Sequence, residues 1–122
     1  MLLRARAKTV RHLVLLQQTC EAFYLAKGRY YAGGWSFAPS ARVHDPVLHV
    51  VALRTARRRD YLRFAAALAT HRDLAGLAGI EAFTCIALRA ESAEPLPIQA
   101  DGDIVGALPM EFAVADVPLR FC

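Results

Sequence analysis

No apolar run in this chain approaches the roughly 20 residues that cross a bilayer as a helix, so a helical membrane span is not expected. The three cysteines, Cys20, Cys85 and Cys122, contain no Cys-x-x-Cys pair, which leaves zinc-ribbon and thioredoxin-type chemistry without support. Their odd number and wide spacing make a reduced, intracellular compartment the default expectation. Cys85 lies in an apolar run and reads as a small core residue. His12, His44, His49 and His71 are scattered without His-x-x-x-His spacing, and surface or strand-edge positions are expected for them. No Gly-x-x-x-x-Gly-Lys-Ser/Thr loop occurs, and no serine has the context of a nucleophile elbow. There is no interleaved aromatic ladder and no nucleic-acid-binding motif, so nucleic acid is not expected as a partner. Internal repeats, low-complexity tracts and linkers are also missing.

What is present points to one folded unit. A chain of 122 residues can bury one core but not two, so residues 1–122 are read as a single domain. Apolar residues make up 56% and charged residues 21%, a balance that argues against disorder. Arg4, Arg6, Lys8 and Arg11 precede Leu13-Val14-Leu15-Leu16, as at the start of a signal or transit peptide. The apolar stretch is too short for a secretory segment, and no small-residue cleavage site follows. A mitochondrial-type presequence stays open; the plainer reading is that Met1 begins partway into a larger gene product. The net charge is +4. Its densest cluster is Arg54, Arg57, Arg58, Arg59 and Arg63, interrupted by Asp60. Such a patch is either a solvated helix start or a surface for phosphates or anionic lipid headgroups.

The hydropathy pattern predicts a mainly β fold, a β-sandwich of about seven short strands with one clear helix. Strands are expected over 12–18 and 22–27, with Thr19 to Glu21 between them short enough for a hairpin. Residues 28–41 break the pattern at Gly33-Gly34 and Pro39. Val47 to Leu53 is almost wholly apolar and valine-rich, the signature of a strand covered on both faces. The helix is expected from Arg58 to His71, with Tyr61, Leu62, Phe64, Ala65, Leu68 and Ala69 as its apolar face. Further strands are expected over 82–88, 96–100, from Ile104, over 110–114 and over 119–122. The strands occur at sandwich-like spacing rather than alternating with helices.

Asp101-Gly102 between apolar segments is a hairpin signal, because glycine takes positive φ cheaply. In isolation, Asp101-Gly102-Asp103 is no more than a two-residue turn. Its context gives it a second meaning. Lys27-Gly28, Gly33-Gly34, Ala38-Pro39-Ser40-Ala41, Asp45 before the strand from Val47, the helix, and Pro97 to Asp103 follow one another in order. This succession, over about Phe23 to Cys122, resembles the C-terminal domain of the diacylglycerol kinase and sphingosine kinase family of soluble lipid kinases. Members typically show Asn-Gly, Gly-Gly-Gly, Ala-Pro-x-Ala, Asp-Asp-Gly before a strand, and a late Asp-Gly-Glu.

The resemblance implies a β-sandwich that helps form a lipid site and closes over nucleotide held by an N-terminal α/β domain. With that domain, such a protein moves the γ-phosphate of ATP to a lipid hydroxyl. Asp101 matches the family's general base, an arrangement that helps an alcohol attack phosphorus as its proton leaves. Gly102 would let the backbone approach the phosphates, and Asp103 would help hold Mg²⁺ in place of Glu. In some relatives the loop matching His44-Asp45-Pro46 binds a structural Mg²⁺ through its second Asp and nearby carbonyls, which makes Asp45 a metal candidate. Here Pro46 replaces Gly, His49 stands where Asp is common, and Lys27 replaces Asn. Lys27 is expected to face phosphate or to end a strand in solvent. Tyr30, Tyr31 and Trp35 are expected either in the core or in the wall of an acyl-chain site.

The Gly-Gly-Asp-Gly-Thr motif that holds ATP in the family is missing, so this chain is not expected to be an active kinase alone. The resemblance implies an N-terminal nucleotide-binding domain and a lipid substrate as partners, a cytoplasmic location with peripheral membrane contact, and a fold that suits homodimerisation. The rival expectation is a stand-alone, non-catalytic module that binds lipid or an anionic membrane through the arginines at 54–63.

Overall fold

The computed structural model describes residues 3–8, 16–30, 34–54 and 57–115. The strand expectations over 12–15 and 119–122, together with Tyr31 and Cys122, lie outside the described residues. Within them are nine strands and one helix: β1 (Leu3–Lys8), β2 (Leu16–Cys20), β3 (Ala22–Ala26), β4 (Leu48–Leu53), α1 (Arg58–Ala69), β5 (Ile80–Cys85), β6 (Ala87–Ser92), β7 (Pro97–Ala100), β8 (Asp103–Ala107) and β9 (Met110–Ala113). All pairings are antiparallel. They form a four-stranded sheet ordered β2-β1-β6-β9, a three-stranded sheet ordered β3-β4-β5, and the β7-β8 ribbon. The fold is mainly β, a sandwich with one helix, as the hydropathy pattern predicts.

The central strand β4 shows why its sequence is apolar throughout. Side chains alternate faces along a strand. Val50 and Ala52 face the four-stranded sheet: Ala52 packs with Cys20, Ala90 and Leu108, and Val50 with Cys85 and Leu88. Val51 and Leu53 face the other way and pack with Phe37, Phe64, Ala67, Leu68 and Leu74. One strand therefore serves two cores, one between the sheets and one beneath α1.

Two local readings change. Thr19 to Glu21 is not a hairpin. β2 pairs with β1 and β3 pairs with β4, so the chain passes from one sheet to the other across Glu21 alone. The Glu21 amide donates to the carbonyl of Leu53 at 2.8 Å, which pins the corner to the end of β4. The run read as a single strand over 82–88 also breaks, at Ile86, into β5 of one sheet and β6 of the other. The amide of Val114 donates to the Ile86 carbonyl at 3.0 Å. Strands that switch sheets at a bend make the corners of such sandwiches, and an unbroken apolar pattern does not reveal the bend. Each corner follows a fully buried cysteine, Cys20 or Cys85.

Helix α1 starts at Arg58 as expected and ends at Ala69. Asp60 lies in its first turn, where a negative charge complements the helix dipole. The Thr70 hydroxyl donates to the Ala66 carbonyl at 2.7 Å, and His71 takes a positive φ of 54°, which turns the chain out of the helix. Its buried face is Phe64, Ala67 and Leu68. Of the expected apolar face, Tyr61, Leu62, Ala65 and Ala69 are exposed instead, and Ala67 is buried in their place. Leu62 is 71% exposed, because the apolar positions cover more than the arc that β4 can bury.

Candidate functional site

The β7-β8 ribbon closes through Asp101 and Gly102, with φ of +50° and +100°. Positive φ at both central residues defines the hairpin turn whose twist matches the strands, and Asp-Gly is a favoured pair for it. The expected hairpin is present, and Asp101, Gly102 and Asp103 all stand exposed at its tip. The tip does more than turn the chain. Asp101 and Gly102 line one side of a cavity of about 460 Å³. Its walls are chiefly apolar: Phe23, Leu25, Ile98, Leu108 and Phe112 among others. Phe23 meets Phe112 edge to face, with ring centroids 6.0 Å apart.

Glu21, at the corner between the sheets, also lines this cavity and is half-buried. Sequence reasoning missed it. The only signal was a lone acid between two apolar strands, which a hairpin explains equally well. Asp103 is not among the lining residues, although it directly follows the turn. The carboxylates of Asp101 and Asp103 flank Gly102 in sequence. Of the two carboxylates, Asp101 alone lines the cavity.

The aromatic residues of the cavity differ from those expected. Tyr30 is 69% exposed and Trp35 50% exposed, and neither belongs to the core or the cavity wall. Tyr24 and Phe37 supply the wall instead. Phe64 of α1 stacks beside both, at 5.7 Å from Tyr24 and 5.9 Å from Phe37.

Asp45 is remote in sequence from the hairpin and half-buried in the loop before β4. Lys27, which directly follows β3, donates from Nζ to the main-chain oxygens of Asp45 and Val47, the latter at 3.2 Å. It neither ends a strand in free solvent nor is it a bare charge. Nε2 of His49 is buried without a hydrogen-bond partner among the described residues. No group of three or more His, Cys, Asp and Glu placed to hold a metal occurs among them either. An ammonium group therefore meets two carbonyls of this loop.

The arginine cluster surrounds the start of α1. Arg54, Arg59 and Arg63 have side chains 60%, 64% and 61% exposed. Asp60 lies 3.9 Å from Arg59 and 4.0 Å from Arg63, so one acid is shared between them. Arg54 reaches Glu81 at 3.5 Å. Burial pushes the thiols of Cys20 and Cys85 from the ordinary 9.0 up to about 11, so both are neutral, inert core groups near neutral pH. No helix among the described residues is long and apolar enough to cross a membrane.

A family model described as the YegS C-terminal NAD kinase beta sandwich-like domain matches residues 14–121. The crystal structure of "a putative diacylglycerol kinase from Bacillus anthracis str. Sterne" superposes with a TM-score of 0.71 at 14% identity. The match covers 90% of this chain and 34% of that one, so the chain spans about a third of that protein's length. No curated protein matches the chain.

Proposed function

The chain belongs to the family of YegS C-terminal NAD kinase beta sandwich-like domains, and on that footing we propose that it is the lipid-side domain of an ATP-dependent kinase of the diacylglycerol kinase type. The observation that carries the reading is the position of Asp101, a carboxylate on the rim of a largely apolar cavity. An acyl chain in the cavity would leave its polar end at the hairpin tip. There Asp101 accepts the proton of the lipid hydroxyl as that oxygen forms its bond to the γ-phosphorus. The bond from that phosphorus to the β,γ-bridging oxygen breaks, giving a phosphorylated lipid and ADP. Gly102, with no side chain, lets phosphate oxygens approach the backbone. Asp103 would help hold Mg²⁺, which neutralises phosphate charge when bound. The nucleotide itself needs an N-terminal domain with its own phosphate-binding loop, so the chain alone is inactive.

The test is Asp101→Asn in the complete protein. Asparagine tolerates positive φ, so the turn persists while the base is lost. Phosphate transfer to lipid should fall by about 10²–10⁴ with the unfolding midpoint unchanged. Near-normal turnover would remove Asp101 from the reaction.

A second reading has its own observation. Leu62 and Tyr61 project beside Arg58, Arg59 and Arg63 on the outer side of α1. Apolar side chains among cations suit an anionic membrane surface, as cationic side chains draw in headgroups and the leucine enters the acyl boundary. This surface serves peripheral docking of a cytoplasmic kinase, or stands alone in a non-catalytic lipid-binding module. Vesicle binding that rises with anionic lipid and weakens with salt supports the docking surface. Indifference to lipid charge excludes it.

A further inference from the structure

We propose that Lys27 is a built-in cation that holds the loop before β4 in place of a divalent metal. The loop enters the central strand of the three-stranded sheet, and its main-chain oxygens at Asp45 and Val47 converge on one point. Carbonyl oxygens that converge in this way need a positive group between them, because their dipoles repel one another. Lys27 Nζ supplies it. Ala26, the last residue of β3, pairs with His49 of β4, so the following residue emerges beside the loop. An ammonium group has three donors and no acceptor, and two of those donors are used on the two carbonyls.

The surrounding chemistry points the same way. Mg²⁺ requires near-octahedral oxygen coordination at about 2.0–2.1 Å and keeps several waters. The carbonyls it would use are held by a fixed positive charge. His49, which pairs with Ala26 in the sheet, carries nitrogen donors, and these suit zinc or copper better than Mg²⁺ or Ca²⁺. Pro46 fixes φ, which limits how far the loop can rearrange around an ion. Asp45 remains, and its main-chain oxygen meets a lysine. The metal role expected for Asp45 thereby passes to Lys27, and the loop keeps its shape without divalent ions.

Thermal unfolding of the intact gene product, free of nucleotide, tests this independently of any kinase activity. The melting temperature should differ by less than about 1 °C between EDTA and about 10 mM MgCl₂ or CaCl₂, since a ligand that binds only the native state would raise it. Lys27→Met should melt several degrees lower in either buffer. Lys27→Asn, which restores an oxygen donor, should recover part of that loss in MgCl₂ or CaCl₂ only. A wild-type protein stabilised by several degrees in MgCl₂ or CaCl₂, or a Lys27→Met variant that melts with the wild type, would overturn the proposal. If neither variant folds, the wild-type comparison alone decides it.

Discussion

Tyr24 and Phe37 stack with ring centroids 4.5 Å apart and planes 14° from parallel. Tyr24 belongs to β3 and Phe37 to the loop before β4, and both line the cavity. Phe64 lies against both rings, so helix α1 and the cavity wall share one aromatic cluster. The face of α1 opposite this cluster carries Leu62 and the arginines. The proposed membrane surface and the proposed lipid cavity are therefore joined by one helix.

Phe64→Ala should cost about 3–5 kcal/mol, because Phe64 is 7% exposed and its loss opens a void beneath the helix. Urea unfolding measures it. A cost below about 1 kcal/mol would mean that the helix does not pack on β4 as described.

Leu62→Glu should leave stability within about 0.5 kcal/mol, since the side chain is exposed. Binding to anionic vesicles should weaken clearly. Replacing Arg58, Arg59 and Arg63 together with Gln should lower vesicle partition on the order of 100-fold, at about 1 kcal/mol per basic side chain. Vesicle sedimentation at low and high salt distinguishes the two contributions, since only the arginine part is screened.

Gly102→Ala should destabilise the protein by about 1–3 kcal/mol although no atom lies within 4 Å of the added Cβ. The cost comes from φ of +100° and not from crowding. Asp101→Asn should be nearly neutral for stability. A pair of urea curves tests both, and an equal loss in the two variants would show that the turn does not depend on backbone conformation.

Cys20 and Cys85 should leave a pH signature. Their thiols ionise near the ordinary 9.0 when unfolded and near 11 when folded. Above pH 9 the unfolded chain loses these protons first. The native protein then binds more protons, and stability falls as pH rises. The contribution is whole below pH 9 and is lost as pH rises through about 11. In a Cys122→Ser background, urea midpoints from pH 8 upward should show this decline, and Cys20→Ala with Cys85→Ala should flatten it. A thiol reagent at pH 8 should modify neither cysteine until the protein unfolds. Rapid labelling of the folded protein would show that the two corners are open.

The legible parts of the sequence are those governed by neighbours along the chain. The period of Phe64 and Leu68 marks α1, and Asp101-Gly102 marks a turn because few residue pairs accept two positive φ values. The unbroken apolar run into Leu53 marks a strand covered on both faces. Glu21 and Ile86 were not legible as corners, since a change of sheet leaves the apolar pattern intact. The outward position of Leu62 was hidden for a related reason: hydropathy gives the apolar arc of a helix, but the width of its partner decides how much is buried.

The sequence by itself determined the β character of the chain, the helix from Arg58, its hairpin tip and the order of motifs that places it in a family. These depend on backbone preference and local spacing, which act over a few residues. Tertiary structure alone decided which sheet each strand joins, that Asp101 and Glu21 share an apolar cavity, and that Lys27 meets the carbonyls of Asp45 and Val47. The last two join residues distant along the chain, as in the 18 positions between Lys27 and Asp45. They exist only after burial of the two cores brings distant strands together, and no local preference specifies them.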